Sequence, residues 1–226
     1  MREMERTARI IRHRTRTLAV DYDGTITERD LLQAIAFEFG DPVVVDELDR
    51  ALDEGRITLR EEIVGEYATV RGSLDEVLAW TAERTRIRPG FDEFVELARR
   101  EGWRLVVVSS GFHELIEPIL ARDGVEVEVV ANRVDPRPEG WVVDWRYGED
   151  CPFCGQSCKR TTVVSLAPGD ELVYIGDGYS DRCAGEAADR LFATSDLAEH
   201  LESKRLPYEP FRDFFDIAAA LAPNRA

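Results

Sequence analysis

The stretch TLAVDYDGTITERD, residues 17–30, decides how the rest of the chain is interpreted. An apolar run, residues 18–20, leads directly into two carboxylates, Asp21 and Asp23, and then a glycine. Asp caps turns and Gly adopts dihedral angles closed to other residues, so the pattern predicts a buried β-strand ending in a turn. An ordinary turn has the same sequence. The pair therefore has a functional meaning only if partner residues occur elsewhere in the chain.

A D-x-D pair also opens calcium-binding loops, which require Gly at the sixth position and Glu at the twelfth. Those positions hold Ile26 and Leu32 here, so a calcium loop is excluded. An ordinary turn and a catalytic pair of carboxylates remain.

The chain is strongly acidic. Its 226 residues include 45 acidic and 29 basic side chains, giving a formal net charge of -16. Such a chain is repelled by nucleic acid and by anionic membranes, so neither is an expected partner. A phosphate ester is also repelled at long range and would need a local cation. Only two lysines are available for that purpose, Lys159 and Lys204.

Residues 1–16 form an arginine-rich N-terminal extension without the apolar centre of a signal peptide. No apolar run reaches the roughly 18 residues needed to span a membrane. Three of the four cysteines are crowded into CPFCGQSC, unlike a secreted disulfide framework. We expect a cytoplasmic protein, and the sequence leaves a homodimer open.

Short apolar runs alternate with amphipathic segments along most of the chain, which predicts a Rossmann-like, three-layer α/β fold with a parallel sheet. Ligands of such sheets bind beyond the carboxyl ends of the strands. The predicted strands are Leu18–Val20, Leu105–Val108, Val127–Val130, Leu172–Ile175 and Leu191–Ala193.

The first crossover is far longer than the roughly 30 residues of a complete βαβ unit. Residues 28–86 show helical periodicity in four segments. We expect them to form a helical cap inserted after the first strand, while residues 17–27 and 87–226 form the core. Extra helices packed on one face of the sheet are the alternative. Near the other end of the core, RVDPRPEGWVVDWRYG, residues 133–148, predicts a β-hairpin with packed tryptophans.

Further polar residues follow later strands of the predicted sheet. VVVSSGF places Ser109 and Ser110 before a helix, where hydroxyl groups and free backbone N–H groups suit an anion. CGQSCKRTTV places Lys159 at a helix start, and GDGYSD places Asp177 and Asp181 four residues apart. Each motif alone is an ordinary cap or a solvated charge. Together they can converge at the edge of the sheet where Asp21 lies.

The order D-x-D-G-T, Ser, Lys, G-D-G-x-x-D resembles the haloacid dehalogenase-like phosphatases. That resemblance implies that Asp21 is the nucleophile that forms an aspartyl-phosphate. It implies that Asp23 protonates the leaving alcohol and then activates water. It also implies a site for Mg²⁺, and the loop residue Thr25 would help to fix this turn. The implied Mg²⁺ ligands are Asp21, Asp23 through its carbonyl, Asp177 and, directly or from behind, Asp181.

The resemblance also assigns the phosphate site. Ser109, Ser110 and Gly111 would hold phosphate oxygens, and Lys159 would bridge the phosphate and the nucleophile. Ser110 stands where the family usually has glycine, so its side chain would narrow the pocket or add a donor. A non-catalytic phosphate-binding domain remains an alternative from another functional class.

Similarity extends over nearly the whole chain to the phosphoserine phosphatase branch. Within that branch, GRITLREEIVGE, RPGFDEFV and LPYEPFRDFFDI are similar to the phosphatases of 2-hydroxy-3-keto-5-methylthiopentenyl-1-phosphate in methionine salvage. The expected function is therefore hydrolysis of a small-metabolite phosphate ester. Phosphoserine, phosphoethanolamine and phosphocholine remain alternative substrates.

The cap residues Asp30, Glu66 and Tyr67 are the expected determinants of specificity. Phosphoserine phosphatases have an acid and an arginine in the cap, which bind the ammonium and the carboxylate of the substrate. In this chain Asp30 aligns with the acid, whereas Glu66 occupies the position of the arginine. A carboxylate facing the substrate carboxylate would be repulsive, although Arg60 or Arg71 could replace the arginine.

The remaining signals are the cysteines and one histidine. Cys151, Cys154 and Cys158 have the C-x₂-C-x₃-C spacing of metal ligands, and Cys183 is a candidate fourth ligand for Zn²⁺. Thiols that only pack are the alternative. His113 follows the serine motif and is expected to start a helix rather than to act in catalysis. His13 and His200 are expected at the surface.

Overall fold

The computed structural model describes residues 15–147 and 150–222. These residues form a seven-stranded sheet in the order β4-β3-β2-β1-β5-β6-β7. Neighbouring strands are parallel except for the antiparallel pair β3 and β4. The strands are β1 (Arg16–Val20), β2 (Arg104–Phe112), β3 (Glu128–Asp135), β4 (Val142–Asp144), β5 (Glu171–Gly176), β6 (Arg190–Ala193) and β7 (Glu209–Pro210).

Helices fill most of the chain between the strands. Several begin and end at the expected signals: Thr58 and Ser73 open capping boxes, and Gly102 ends a helix with φ 69°. The helices are α1 (Leu31–Phe39), α2 (Pro42–Asp53), α3 (Leu59–Tyr67), α4 (Leu74–Arg84), α5 (Phe91–Glu101), α6 (His113–Arg122), α7 (Arg160–Leu166), α8 (Arg182–Gly185), α9 (Ser195–Lys204) and α10 (Phe214–Leu221).

Alternating side chains of β1 point to opposite faces of the sheet, as the two-residue period of a strand requires. Leu18 and Val20 pack with residues of α5, α6 and α10 on one face. Ala19 packs with residues of α7, α8 and α9 on the other face. The predicted three-layer α/β fold is confirmed.

Helices α1 to α4 form the cap that was predicted between β1 and β2. Their apolar side chains, among them Ile35, Val45, Ile63 and Val77, belong to a third hydrophobic cluster, which they share with Phe112, Leu115, Val134 and Trp141. Among the described residues, none from α1–α4 joins the two clusters that cover the sheet, so they do not form an extra layer. The two connections to the cap pair with each other, since the N–H of Glu28 donates to the carbonyl of Arg86 at 3.0 Å. The division at residues 28–86 stays a prediction.

The predicted hairpin is present as the antiparallel pair β3 and β4. Trp141 is buried against the cap and its Nε1 donates to the carbonyl of Gly72 at 2.8 Å. The Nε1 of Trp145 donates to Oγ of Ser157 at 2.8 Å. Both tryptophans therefore pack as predicted, and the hairpin contacts the cap through Trp141.

The structure corrects two predicted boundaries, the end of β2 and the start of β1. Strand β2 runs to Phe112 instead of Val108, so Ser109–Gly111 belong to its irregular end rather than to a separate turn. Arg16, assigned to the N-terminal extension, already pairs in β1. Residues 1–14, including His13, lie outside the described part of the chain. No described helix has the length and apolar character needed to cross a membrane.

Candidate active site

A cleft of about 370 Å³ lies at the carboxyl ends of β1, β2 and β5 and is covered by the cap. Parallel strands bring their carboxyl ends to one edge, so the motifs that follow them converge there. The core side of the cleft is lined by Asp21, Asp23, Ser109, Ser110, Gly111 and Asp177, and the cap side includes Asp30, Asp49, Leu59, Glu62, Ile63 and Glu66.

Lys159 joins two of the predicted carboxylates. Its Nζ donates to Oδ1 of Asp21 at 2.5 Å and to Oδ1 of Asp181 at 2.8 Å. The lysine side chain is 1% exposed, so this contact is a buried ion pair. Burial, and next the charge on Asp181, raises the pKa of Asp21 to about 7. Burial opposes ionisation of Asp181 too, but Lys159 holds the pKa of Asp181 below its usual value.

The turn after β1 is fixed by contacts on both sides. Oγ1 of Thr25 donates to Oδ1 of Asp177 at 2.8 Å. Gly24 has φ 72°, and a Cβ there would lie 2.1 Å from Oδ2 of Asp177. Arg88 donates from Nε to the carbonyl of Thr25 at 2.8 Å and from Nη2 to the carbonyl of Gly24 at 2.5 Å. Sequence reasoning missed Arg88, because nothing local marks a residue that acts across 63 positions.

Asp23 faces the cap and the serine motif. Its Oδ1 accepts from the N–H of Leu31 at 3.2 Å. Its Oδ2 lies so close to Gly111 that a Cβ on that glycine would approach within 3.2 Å. Burial, and next the charge on Asp30, raises the pKa of Asp23 well above its usual value. Asp21 and Asp23 thus have different neighbours although one residue separates them.

The serine motif is held from behind by polar side chains that sequence reasoning also missed. The hydroxyl of Tyr147 donates to the carbonyl of Ser109, and Nδ2 of Asn132 donates to the carbonyl of Ser110 at 2.7 Å. Oγ of Ser109 accepts from the N–H of Gly111 at 2.9 Å. These bonds orient the backbone of the motif toward the cleft.

The histidines take structural positions. His113 begins α6 as expected, and its Nε2 accepts from the N–H of Ala131 at 3.2 Å. His200 was expected at the surface, but its side chain is only 16% exposed because it packs beside Glu186.

Three carboxylates form a group that suits a hard divalent cation. One oxygen from each of Asp21, Asp177 and Asp181 lies within 4.8 Å of the others. Oxygen donors of this kind are the ligands that Mg²⁺ prefers. Asp181 already accepts from Lys159, from the hydroxyl of Tyr174 at 2.7 Å and from the N–H of Asp177 at 2.9 Å. Its oxygens are therefore engaged, and Asp21 and Asp177 are the better donors.

The cap residues differ in their placement. Asp30 caps α1 through its Oδ1 and lines the cleft, and Glu66 lines the cleft as well. The expectation that Tyr67 faces the cleft is wrong. Tyr67 is fully buried, its hydroxyl donates to the carbonyl of Leu32 at 2.9 Å, and its ring packs edge-on against Phe112. Packing inside the cap outweighs the polarity of its single hydroxyl.

Sequence reasoning also missed two acids beside Glu66. Asp49 of α2 and Glu62 of α3 approach it so closely that one oxygen from each lies within 4.8 Å of the others. Oε1 of Glu66 is buried and has no hydrogen-bond partner. Burial, and next the charges of neighbouring acids, raises the pKa of Glu62 to about 8 and of Glu66 to about 9. The i, i+4 spacing of Glu62 and Glu66 beside buried Ile63 was the available signal.

The four cysteines also converge. Cys151, Cys154, Cys158 and Cys183 place their sulfur atoms within 4.8 Å of one another, next to Lys159 in the chain.

Residues 18–186 match the model of the haloacid dehalogenase-like hydrolases. The chain belongs to this family. The predicted membership of its phosphatases is confirmed by curated relatives with which it aligns over most of its length. It is 32% identical over 210 residues to the 2-hydroxy-3-keto-5-methylthiopentenyl-1-phosphate phosphatase of Brevibacillus brevis, covering 90% of this chain and 94% of that protein. The enzyme of the same name from Geobacillus kaustophilus is 32% identical over 209 residues, with the same coverage.

Solved structures of phosphoserine phosphatase have the same fold as this haloacid dehalogenase-like chain. A phospho-aspartyl intermediate analogue of that enzyme aligns with a TM-score of 0.70 at 19% identity, covering 92% of this chain and all of that one. A substrate-bound phosphoserine phosphatase complex aligns with a TM-score of 0.71 at 18% identity, covering 92% and 99%. At these sequence identities, the structural similarity establishes the fold but not the substrate.

Proposed function

We propose that the protein is an Mg²⁺-dependent phosphomonoesterase that works through an aspartyl-phosphate on Asp21. The observation that carries this proposal is the ion pair between buried Lys159 and Asp21 at the bottom of a cleft lined by Asp23 and Asp177. A nucleophilic carboxylate, a fixed cation and a second acid stand together where a small phosphate ester can enter.

In the first step, a carboxylate oxygen of Asp21 bonds to phosphorus as the bond from phosphorus to the leaving oxygen breaks. Asp23 gives its proton to that oxygen, so a neutral alcohol departs. In the second step, Asp23 takes a proton from water, and the water oxygen bonds to phosphorus. The bond between Asp21 and phosphorus breaks, inorganic phosphate leaves, and both carboxylates return to their starting state.

The surrounding residues neutralise charge and fix geometry. Lys159 offsets negative charge between Asp21 and the phosphate, and Asp181 holds that lysine in place. Ser109 and the backbone of Ser110 and Gly111 would hold phosphate oxygens. Asp21, Asp177 and the carbonyl of Asp23 would hold Mg²⁺, which supplies positive charge beside the phosphate when it is bound.

The names of the relatives support 2-hydroxy-3-keto-5-methylthiopentenyl-1-phosphate as the first candidate substrate. The residues that line the cleft make phosphoserine a less favourable substrate. Among the described residues that line it, none is an arginine, and both Arg60 and Arg71 are exposed outside it. The carboxylate of phosphoserine would face Glu62 and Glu66 without a cation. The acidic group favours phosphoethanolamine or phosphocholine as the second candidate, since a cationic leaving group beside Glu62 and Glu66 would stabilise the ionised form of acids whose pKa values are otherwise raised.

Phosphate release from a panel of these esters, with Mg²⁺ and with EDTA, tests the proposal. We expect turnover with Mg²⁺, loss of turnover with EDTA, and the highest kcat/KM for the methylthio-ketone ester. Asp21→Asn should abolish this turnover, and Asp135→Asn serves as its control because it makes the same chemical change at the exposed end of β3. Binding of phosphate without hydrolysis of any ester would favour a non-catalytic phosphate-binding domain. A cytoplasmic location and the oligomeric state stay predictions.

A further inference from the structure

The cysteine cluster has the dimensions of a tetrahedral metal site. All four sulfur atoms lie within 4.8 Å of one another, and those of Cys151 and Cys183 are 3.8 Å apart. A tetrahedral zinc with Zn–S bonds of about 2.3 Å separates its sulfur ligands by roughly 3.8 Å. A disulfide would instead require about 2.05 Å. The observed spacing therefore matches thiolates around a metal ion and does not match a disulfide.

The loop that carries three of the cysteines is folded around the position of the metal. Gly155 takes φ 70°, and its N–H donates to the carbonyl of Cys151 at 2.7 Å. The chain thus turns tightly within C-x₂-C-G, which lets the three cysteines of this loop converge.

Charge near the cluster is also suitable. Four thiolates around a divalent cation leave two net negative charges. Arg160 lies beside them, since its Nη1 donates to the carbonyl of Cys183 at 3.0 Å and lies 3.9 Å from its sulfur. The same guanidinium stacks on Phe153 at 3.9 Å. The positive charge of Arg160 is thereby held at the edge of the cysteine cluster.

We propose that Cys151, Cys154, Cys158 and Cys183 bind a structural Zn²⁺. Four sulfur ligands with no place left for water are typical of structural rather than catalytic zinc. The ion would join the cysteine loop to the start of α8, and it is separate from the carboxylate site that we assign to Mg²⁺.

The consequence of this site concerns the active-site lysine and the cap. Cys158 directly precedes Lys159 in the chain. Gln156 of the same loop donates to the hydroxyl of Tyr179 at 3.2 Å and accepts from the N–H of Leu59 at 3.4 Å. A metal at the cysteines would therefore hold the lysine in register and would anchor the first turn of α3.

Metal analysis of the full-length protein, purified without an affinity tag and without chelators, tests the proposal. We expect about one zinc per chain. Cys158→Ser should retain zinc at least about tenfold less well against a competing chelator and should lower Tm. Asp150→Asn is the matched control, since it changes an exposed residue beside the same loop and keeps all four ligands and the stacking of Arg160 on Phe153. Asp21→Asn should keep its zinc, which separates this test from that of the phosphatase proposal.

Three results would overturn the zinc site. One is stoichiometric iron in place of zinc. Another is four thiols that react freely with a thiol reagent in the native, metal-free and fully stable protein. The third is an intact mass that shows a disulfide in protein purified with reductant. Cys154→Ser provides a second variant if Cys158→Ser fails to fold, because Cys154 is exposed.

Discussion

Asp21 and Asp23 are separated by a single residue in the chain and yet face different partners. Asp21 accepts from buried Lys159, whereas Asp23 accepts from the N–H of Leu31 at the start of the cap. A carboxylate paired with a cation stays available as a nucleophile. A carboxyl group beneath the cap lies where the leaving group must pass. This separation is the physical basis for giving the two residues different tasks.

We predict that Asp23→Asn lowers kcat by about 10² to 10⁴, because the amide cannot donate the proton that the leaving oxygen needs. The loss should be smallest for p-nitrophenyl phosphate, whose leaving group departs without protonation. Steady-state kinetics with an alkyl ester and with p-nitrophenyl phosphate check this prediction. An equal loss for both substrates would argue against general-acid catalysis by Asp23.

Arg88 supports the catalytic turn from outside the cleft. We predict that Arg88→Met lowers kcat by about 10- to 100-fold, because it frees the carbonyls of Gly24 and Thr25 and misplaces the carboxylates that flank them. Arg86→Met is the control, since the Arg86 side chain is exposed and, within the described part of the chain, donates only to the carbonyls of Glu83 and Thr85. Kinetic comparison at matched folded fraction is the measurement. Similar kcat values for the two variants would show that the hydrogen bonds from Arg88 to the turn have no catalytic effect.

Glu66 should make stability depend on pH. Its pKa is raised from 4.5 to about 9, first by burial and then by the charges of Glu62, Asp49 and Asp30. Between these two values the folded state holds a proton that the unfolded state has lost, so the free energy of unfolding falls as pH rises. Glu66→Gln removes this dependence.

We therefore expect the Tm of Glu66→Gln to exceed that of the wild type by more at about pH 8.5 than at about pH 5.5. Thermal melts at both pH values, with the exposed replacement Glu38→Gln as control, measure the gap. A gap that stays constant with pH would mean that Glu66 is ionised in the folded protein.

At the scale of elements, the sequence predicted the strands of the sheet and the helices of the cap. Both depend on local hydrophobic periodicity and on the residues that begin and end helices. It could not predict which side chains of α2 and α3 meet, since that depends on how the two helices cross. Asp49 and Glu62 were missed for this reason, and Tyr67 was placed on the wrong side of α3. The end of β2 was also misjudged, because Ser109–Gly111 break the apolar pattern while they continue the strand.

The cap should set the choice of substrate. We predict that Glu66→Arg raises the kcat/KM for phosphoserine relative to phosphoethanolamine, because it provides a cation for the carboxylate. Hydrolysis of p-nitrophenyl phosphate should persist, since the core residues are unchanged. Glu38→Arg makes the same charge change on the exposed face of α1 and should leave the ranking as it is. An unchanged ranking in Glu66→Arg would place the specificity determinant elsewhere.

At the scale of the whole molecule, the fold gathers a few residues from distant parts of an acidic chain. Lys159 lies 138 positions from Asp21, and Thr25 lies 152 positions from Asp177. The family motifs made these pairs predictable. Asp21, Thr25 and Asp177 follow strands whose carboxyl ends reach the same edge of the sheet, whereas Lys159 stands at the start of α7 and was assigned to the site by the resemblance. Support from Arg88, Tyr147 and Asn132 could not be predicted, since such bonds depend on the final packing of loops and strands.

The central claim is that Asp21 carries the phosphoryl group during turnover. Acid quenching during steady-state hydrolysis, followed by digestion and mass spectrometry, tests it most directly. The account predicts a phosphoryl group on Asp21 in the wild type, with more of it in Asp23→Asn if that variant slows hydrolysis of the intermediate. It also predicts no label and no turnover in a folded Asp21→Asn. Turnover by Asp21→Asn, or a phosphoryl group on another residue, would contradict the mechanism.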